Sequence, residues 1–287
     1  MLEQFPSLKI PIEDIIQILP KLQPRYYSIS SSTRYNPNQL HITVSIVTYR
    51  TIRDIIRNGI CSNFLKQTKP LLKDDEKMID SLTLSKENAS KVQLFIVPNL
   101  HFRLPGQENL LKEINNDKEL FLPLNRPLLM FAIGSGIAPF RSFWQELQIL
   151  HNLNSNNNIV IDRVLFFGCR TKNDFLFAKE LQLLNYEKNS SNKLLTFIIP
   201  VYSREKSAAK RYVQDAMLDY QQLISSIIKN ENSFIYMCGS TRACQSIEST
   251  LASILEISNN DTLTSDQANY QIQQFKQSGK IKQDMFG

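Results

Sequence analysis

Pro127-Leu-Leu-Met-Phe-Ala-Ile-Gly-Ser-Gly-Ile-Ala-Pro-Phe-Arg-Ser-Phe-Trp144 is the stretch on which the fold turns. Residues 128–132 read as a buried strand, Gly134-Ser135-Gly136 as the turn that leaves it, and Ala138 as the opening of a helix that runs to 151. Downstream the alternation repeats: strand 163–167, helix 174–185, strand 194–201, helix 210–229, strand 234–238, helix 240–256. This pattern specifies a parallel α/β sheet with helices on both faces. The polar run at 152–158 is a loop between helix and strand. A last helix near 265–277 leads into a short terminal segment.

Upstream of this unit the pattern is different. Pro11 followed by Ile12, Ile15, Ile16 and Leu19 at helical spacing gives a short amphipathic helix ended by Pro20. Residues 25–31, 40–49 and 91–97 read as strands, the second of them carrying the β-branched alternation His41-Ile-Thr-Val-Ser-Ile-Val-Thr48. Gly59 opens a helix reaching Lys66. The charged residues 67–90 have no clean period and are expected to form a mobile surface loop. The boundary between the two units is expected near residue 125, giving domains 1–125 and 126–287.

Composition excludes several classes. The 287 residues include 8 glycines and 12 prolines with 42% hydrophobic side chains, inside the globular range and outside the disordered and fibrous ones. Four cysteines and three histidines form no C-x-x-C pair and no zinc signature. Reduced thiols fit a cytoplasmic location. The apolar run after Pro127 is too short to span a bilayer, and Met1-Leu-Glu-Gln-Phe5 lacks a signal-peptide pattern, so a soluble chain is expected. Thirty-three basic and 27 acidic side chains give a net charge of +6, dispersed without the basic block of a nucleic-acid arm. That excess favours acidic partners or phosphorylated small molecules.

Half of the glycines fall on one predicted rim. Gly134 and Gly136 follow a buried strand and precede a helix, where backbone N–H groups can approach a pyrophosphate at the positive end of the helix dipole. A plain tight turn would have the same spacing. Gly168 and Gly239 end two further parallel strands, at the carboxyl edge where open α/β sheets bind ligands. Ser203 and Arg204 lie past the strand ending in Pro200-Val-Tyr202, with Lys210 and Tyr212 a turn beyond. A hydroxyl, a guanidinium and an ammonium there suit a phosphate monoester such as the 2′-phosphate of NADP, although a solvated basic loop has the same composition. Arg25-Tyr-Tyr-Ser-Ile-Ser-Ser-Ser32 combines an arginine able to neutralise a diphosphate with tyrosines able to stack on a planar ring.

Seven motifs occur in order: 25–32, Gly59-Ile-Cys-Ser-Asn-Phe-Leu65, Gly134-Ser-Gly-Ile-Ala-Pro-Phe-Arg-Ser-Phe-Trp144, Phe166-Phe-Gly-Cys-Arg170, Tyr202-Ser-Arg-Glu205, Tyr212-Val-Gln-Asp215 and Tyr236-Met-Cys-Gly239. Together they resemble the FAD/NADPH half of the diflavin reductases, a family that includes NADPH-cytochrome P-450 reductase, the nitric oxide synthase reductase region and methionine synthase reductase. The resemblance covers the chain from about residue 4 onward. It implies a β-barrel FAD domain followed by a ferredoxin-reductase-type α/β NADP-binding domain. It further implies that Arg25, Tyr27 and Ser28 contact the FAD diphosphate, ribityl and isoalloxazine, and that Gly59, Cys61 and Ser62 hold the pyrophosphate at a helix start. On the nucleotide side it assigns Gly134 and Gly136 with their loop, Cys169 and Arg170 to NADPH, and Ser203, Arg204, Lys210 and Tyr212 to its 2′-phosphate. Ser28, Cys238 and Asp284 match the family's polar trio beside the nicotinamide.

The chain departs from the family in three places. Phe286 stands where a flavin-shielding tryptophan is common, as in synthase-like members. Ala132 replaces the first glycine of the nucleotide loop, which would leave the diphosphate cradle looser. The family also places a first barrel segment, a helical connecting region and an FMN domain before the stretch that begins here, so an incomplete barrel is expected, with FMN carried only on a missing domain or a partner. The expected activity is an NADPH-dependent flavoprotein reductase passing electrons to an FMN domain or other acceptor. A catalytically silent NADP-binding fragment and one half of a split reductase stay open as alternatives.

Overall fold

The computed structural model describes residues 7, 9–68, 92–107, 121–154, 161–185, 194–206, 209–258 and 263–286. In the first part of the chain, helix α1 (Ile12–Ile18) buries no residue. Strands β1 (Thr48–Arg50) and β2 (Ile56–Asn58) form an antiparallel hairpin and lead into helix α2 (Ile60–Gln67). The expected strand at 25–31 is irregular except for one antiparallel bridge between Ile29 and Ile42. Of the strand expected at 40–49 only Thr48 and Tyr49 are in a regular strand, and 92–97 joins no sheet. The physical reason is lack of cover: Ile42, Ile46, Val47, Tyr49 and Phe95 are all exposed. Paired strands without a buried face are marginal in water. Among the described residues the first part therefore shows a two-stranded sheet, and the loop expected at 67–90 lies outside them from residue 69 onward.

The second part is regular. Strands β3 (Leu128–Ile133), β4 (Arg163–Cys169), β5 (Phe197–Tyr202), β6 (Phe234–Ser240) and β7 (Ile281–Phe286) form a parallel sheet in the order β5-β4-β3-β6-β7. Helices α3 (Ala138–Leu153), α4 (Ala178–Asn185), α5 (Val213–Met217), α6 (Gln221–Lys229), α7 (Thr241–Ser258) and α8 (Ser265–Gln277) connect and cover it. Alternation along the strands divides the core into two layers. Leu128, Met130, Ala132, Leu165, Phe167, Tyr236 and Cys238 face one layer, filled by Phe140, Phe143, Trp144 and Leu147 of α3. Leu129, Phe131, Val164, Phe166, Ile235 and Met237 face the other, filled from α5, α6, α7 and α8. Both faces being covered explains why these strands read as continuous apolar runs.

Three expectations need correction. The helix expected at 210–229 is divided into α5, a 3₁₀ turn at Leu218–Tyr220 and α6, and it starts only at Val213, because Asp215 accepts from the Tyr212 backbone N–H at 2.8 Å in a capping arrangement. The helix expected at 174–185 starts at Ala178, because a 3₁₀ turn at Lys172–Asp174 and the left-handed Phe177 (φ 58°) precede it. The terminal segment is strand β7, which pairs with β6 over its whole length. Residues before the expected boundary also enter the core. Phe102 and Leu104 are buried in the α3 layer, and the Tyr236 hydroxyl donates to the Arg103 carbonyl at 2.7 Å.

Phe166 is fully buried, stacked on Phe131 with centroids 5.2 Å apart and edge-on to Tyr220 at 5.7 Å. Phe166→Ala is expected to lower unfolding stability by about 3–5 kcal/mol, read as a shift in the urea midpoint at unchanged slope.

Candidate cofactor-binding site

The turn after β3 is built against the end of β6. A Cβ added at Gly136 would lie 2.1 Å from the Cys238 carbonyl oxygen, so only glycine permits this backbone-to-backbone contact. Gly134 has φ 58°, the left-handed region that favours glycine, and the space beside its Cα is open. The turn continues through a 3₁₀ stretch, Gly134–Ile137, into the first turn of α3, leaving amide N–H groups at the carboxyl edge of the sheet. Ala132, which replaces the family glycine, is fully buried inside β3. The turn itself keeps both of its glycines.

Cys169, Arg170, Ser203 and Arg204 meet at the ends of the neighbouring strands. The Ser203 backbone N–H donates to the Cys169 carbonyl at 2.9 Å, and the Arg204 N–H donates to the Arg170 carbonyl at 2.7 Å. Both arginines are exposed. Lys210 lies with Nζ 5.1 Å from the centroid of the Tyr212 ring, which is also exposed. The rim thus presents three cations, a hydroxyl and an aromatic face, a donor set suited to a phosphorylated adenosine. Cys169 is different. Its thiol is buried, bonded to the Thr171 carbonyl at 3.4 Å, and pushed up to about 12 by burial and by the charges of Asp174 and Glu205. It packs the rim as a neutral thiol.

Cys238 and Asp284 are register partners on β6 and β7, and Ser28 reaches them from the first part of the chain. The Ser28 hydroxyl donates to Asp284 Oδ2 at 2.9 Å, and Cys238 Sγ lies 3.8 Å from the same oxygen. Burial, then the Asp284 charge, hold the Cys238 thiol well above the ordinary range. The carboxylate is therefore fixed by two neutral donors. Phe286 follows two residues later on the same face of β7, exposed beside this group.

The remaining candidates lie along one side of the first part. Tyr27 lies beside Cys61, and burial together with this neighbour raises the phenol to about 12. This contact brings the 25–28 segment to the start of α2. Gly59 caps that helix, with its N–H donating to the Val47 carbonyl at 2.8 Å. Ser62 is buried, its hydroxyl accepting from the Val47 N–H at 3.1 Å and donating to the Gly59 carbonyl at 3.4 Å. That hydroxyl is spent on the local turn. Arg25 is exposed, with Nη1 donating to the Gln23 carbonyl at 2.8 Å. The residues present fit both cofactors in kind: the 25–28 segment and the start of α2 lie near each other at Tyr27 and Cys61, and Ser28 reaches Asp284 at the carboxyl edge of the parallel sheet.

Sequence reasoning missed the polar contacts that hold the two parts together. Ser32 donates its hydroxyl to Glu146 at 2.6 Å and its backbone N–H to Gln145 at 3.0 Å. Arg34 pairs with Glu146 at 3.0 Å, and Gln107 donates to the same carboxylate at 3.0 Å. Arg141 holds the Ser30 carbonyl at 3.0 Å. The signal available was the interruption of an apolar helix by Arg141 and Gln145, one turn apart on a face, and by Glu146.

Comparison with known proteins agrees with this geometry. Residues 1–64 match the FAD binding domain family, and residues 130–248 match the oxidoreductase NAD-binding domain family. Nitric oxide synthase of Anopheles stephensi is 33% identical over 292 residues, covering 100% of this chain and 20% of that protein. NADPH-dependent diflavin oxidoreductase 1 of Dictyostelium discoideum is 31% identical over 260 residues, covering 89% and 35%. Inducible nitric oxide synthase of Cavia porcellus is 32% identical over 293 residues, covering 100% and 22%. The chain thus spans between a fifth and about a third of the length of these relatives. An FAD-binding domain followed by an oxidoreductase nucleotide domain, joined at a serine, cysteine and aspartate, defines a pyridine-nucleotide flavoprotein. The chain is similar to the diflavin reductases over the part that carries their FAD binding and oxidoreductase NAD-binding domains. The parallel five-stranded sheet is the nucleotide-binding fold of that family. No helix of the described residues is long and apolar enough to cross a membrane.

The four cysteines differ in exposure, with Cys61 half-buried and Cys169, Cys238 and Cys244 buried. At pH 8, iodoacetamide is expected to modify Cys61 more than about tenfold faster than Cys238, because only a reachable thiolate reacts. Peptide mass spectrometry over a time course measures this order.

Proposed function

We propose that the chain is an NADPH-dependent flavoprotein reductase module that takes hydride from NADPH onto FAD and passes electrons to an FMN domain or another acceptor. The observation that carries this is the meeting of Ser28, Cys238 and Asp284 on one carboxylate oxygen, where a flavin-side segment touches the carboxyl edge of the nucleotide sheet. We assign residues 1–125 to the FAD-binding domain, with the family's β-barrel as its fold, and 126–287 to the NADPH-binding domain. The reduced cysteines favour a cytoplasmic location.

The residues divide the work. Arg25, Tyr27, Gly59, Cys61, Ser62 and Phe286 would hold FAD: the guanidinium and the first turn of α2 on the diphosphate, the aromatic rings on the flavin faces. Gly134, Gly136, Cys169 and Arg170 would hold the NADPH diphosphate and adenosine, with Ser203, Arg204, Lys210 and Tyr212 on the 2′-phosphate. Asp284 stabilises positive charge developing on a nicotinamide, while Ser28 and Cys238 keep the carboxylate in place and fix the approach. Cys238, held above the ordinary thiol range, stays protonated and orients without acting as a base.

Two measurements test this. In FAD-loaded protein, Cys238→Ala is expected to slow stopped-flow flavin reduction by NADPH while nucleotide affinity stays within a few-fold, since an interaction made mainly in the transition state appears in the rate. An unaltered rate would return Cys238 to a purely structural role. Arg204→Ala is expected to weaken NADPH binding about tenfold, the loss of one charge-assisted contact, with NADH nearly unchanged. Equal losses for both nucleotides would exclude the 2′-phosphate site.

A further inference from the structure

Arg141, on α3, bonds to both parts of the chain through one guanidinium. Its side chain is only 12% exposed. Nε lies 3.0 Å from both oxygens of Glu180, and Nη2 lies 2.6 Å from one of them. Nη1 donates to the Ser30 carbonyl at 3.0 Å and to His41 Nδ1 at 2.8 Å. The guanidinium carbon stands 4.8 Å from the centroid of Phe177, the left-handed residue that precedes α4. Trp144 completes the setting, donating to Glu180 at 3.2 Å and packing edge-on to Phe177.

These bonds fix the state of His41. A guanidinium has only donors, so Nδ1 must be the acceptor and the ring proton must sit on Nε2, which lies 3.1 Å from Gln39 Oε1. The imidazole is therefore neutral. The charged groups that face it are Arg141 from α3 and Glu180 from α4. His41 is tied to the flavin-side segment a second time, because its backbone carbonyl accepts from the Ser30 N–H at 2.8 Å and Ile42 bridges Ile29. Ser28 is two residues from Ser30, within about 7 Å along the chain.

We propose that Arg141 is the positioning residue of this segment: by gripping the Ser30 carbonyl and a neutral His41, it sets where Ser28 meets Asp284. The proposal rests on Ser28, Cys238 and Asp284 being the hydride-transfer site. It predicts a pH signature that a merely structural arginine would not have. Burial and the Arg141 charge lower the His41 pKa, partly offset by Glu180. A base whose native pKa lies below its unfolded value of about 6.5 stabilises the clamp above that pH and loses the contribution as pH falls toward the native value. Protonated His41 has no lone pair for Arg141, and two cations then face each other.

The test is hydrogen–deuterium exchange of the cofactor-free chain, corrected for intrinsic rates, at about pH 7.5 and pH 5.5. Arg141→Ala is expected to speed exchange of the 28–32 amides by about tenfold, with β3 and β4 unchanged, since Ser32 still holds Gln145 and Glu146. Arg141→Lys, which keeps the charge but loses the fork, should restore part of the protection. Wild-type protection should fall between the two pH values, and His41→Asn, whose amide oxygen can accept from Arg141 without titrating, should abolish that fall. In FAD-loaded protein, Arg141→Ala should slow reduction by NADPH about tenfold with the NADP⁺ dissociation constant within twofold. Unchanged exchange at 28–32 in Arg141→Ala, an unchanged reduction rate, or a pH dependence surviving in His41→Asn would each overturn the proposal. Failure of the wild-type chain to bind NADP⁺ would instead overturn the underlying assignment of the site, while the exchange data would still decide the clamp.

Discussion

Backbone must touch backbone where the turn after β3 meets the end of β6. The space at Gly136 is closed by the Cys238 carbonyl at 2.1 Å from any added Cβ, and the space at Gly239 by the Ile133 side chain at 2.7 Å. With these two glycines in place, β3 and β6 pair as far as Ala132 and Cys238, and the glycine turn that leads into α3 packs against the Cys238 carbonyl. A side chain at either point would push the turn outward and separate the amides of α3 from the carboxylate on β7. The sheet order then does the rest: β6 lies between β3 and β7, so the glycine turn after β3 and Asp284 flank the same strand.

Phe102 and Leu104 enter the core of the second part, but the contact that residues 28–41 make with it is polar, and this has consequences for specificity. Glu146 accepts from Ser32, Arg34 and Gln107, and Arg141 donates to the Ser30 carbonyl and to His41. Hydrogen bonds to buried charged groups contribute about 1.5–3 kcal/mol each, but breaking one partner leaves the other buried and unsatisfied. Such a junction tolerates one arrangement only. An apolar contact would have allowed the 28–34 segment to slide, and a slide of one residue would turn Ser28 away from Asp284. Arg163 shows the same use of a buried cation within the nucleotide domain, donating to the carbonyls of Leu124 and Leu194 with burial lowering it to about 10.

The nucleotide half was legible in the sequence because its signals are local. Apolar runs bounded by Gly134, Gly168 and Gly239 mark strand ends within a few residues, and Thr264 with Gln267 marks the start of α8 through a capping box. The expected strands and helices there agree with the structure apart from their ends and the division of the helix expected at 210–229 into α5 and α6. β7 was missed because its six residues are half polar and only Ile281 is buried, so its strand character comes from pairing with β6. The first part was less legible for a related reason. Its β-branched residues alternate well, yet Ile42, Ile46 and Val47 are exposed, and alternation forms a sheet only where a second layer buries one face.

The site residues divide in the same way. Residue types and spacing alone placed Gly134 and Gly136, Ser203 and Arg204, and Arg25 to Ser28 at candidate phosphate and ring positions, because a strand end followed by glycine, or by a cation, is a property of a few consecutive residues. The sequence likewise carries no zinc signature and no apolar run long enough to span a bilayer. The convergence of Ser28 with Asp284, 256 residues apart, and the grip of Arg141 on Ser30 and His41 were decided only by tertiary structure. Periodicity records which face of an element is buried, and it carries no information on which distant polar group satisfies a buried donor. That pairing is set when the sheet order and the polar junction bring the groups within about 3 Å of each other.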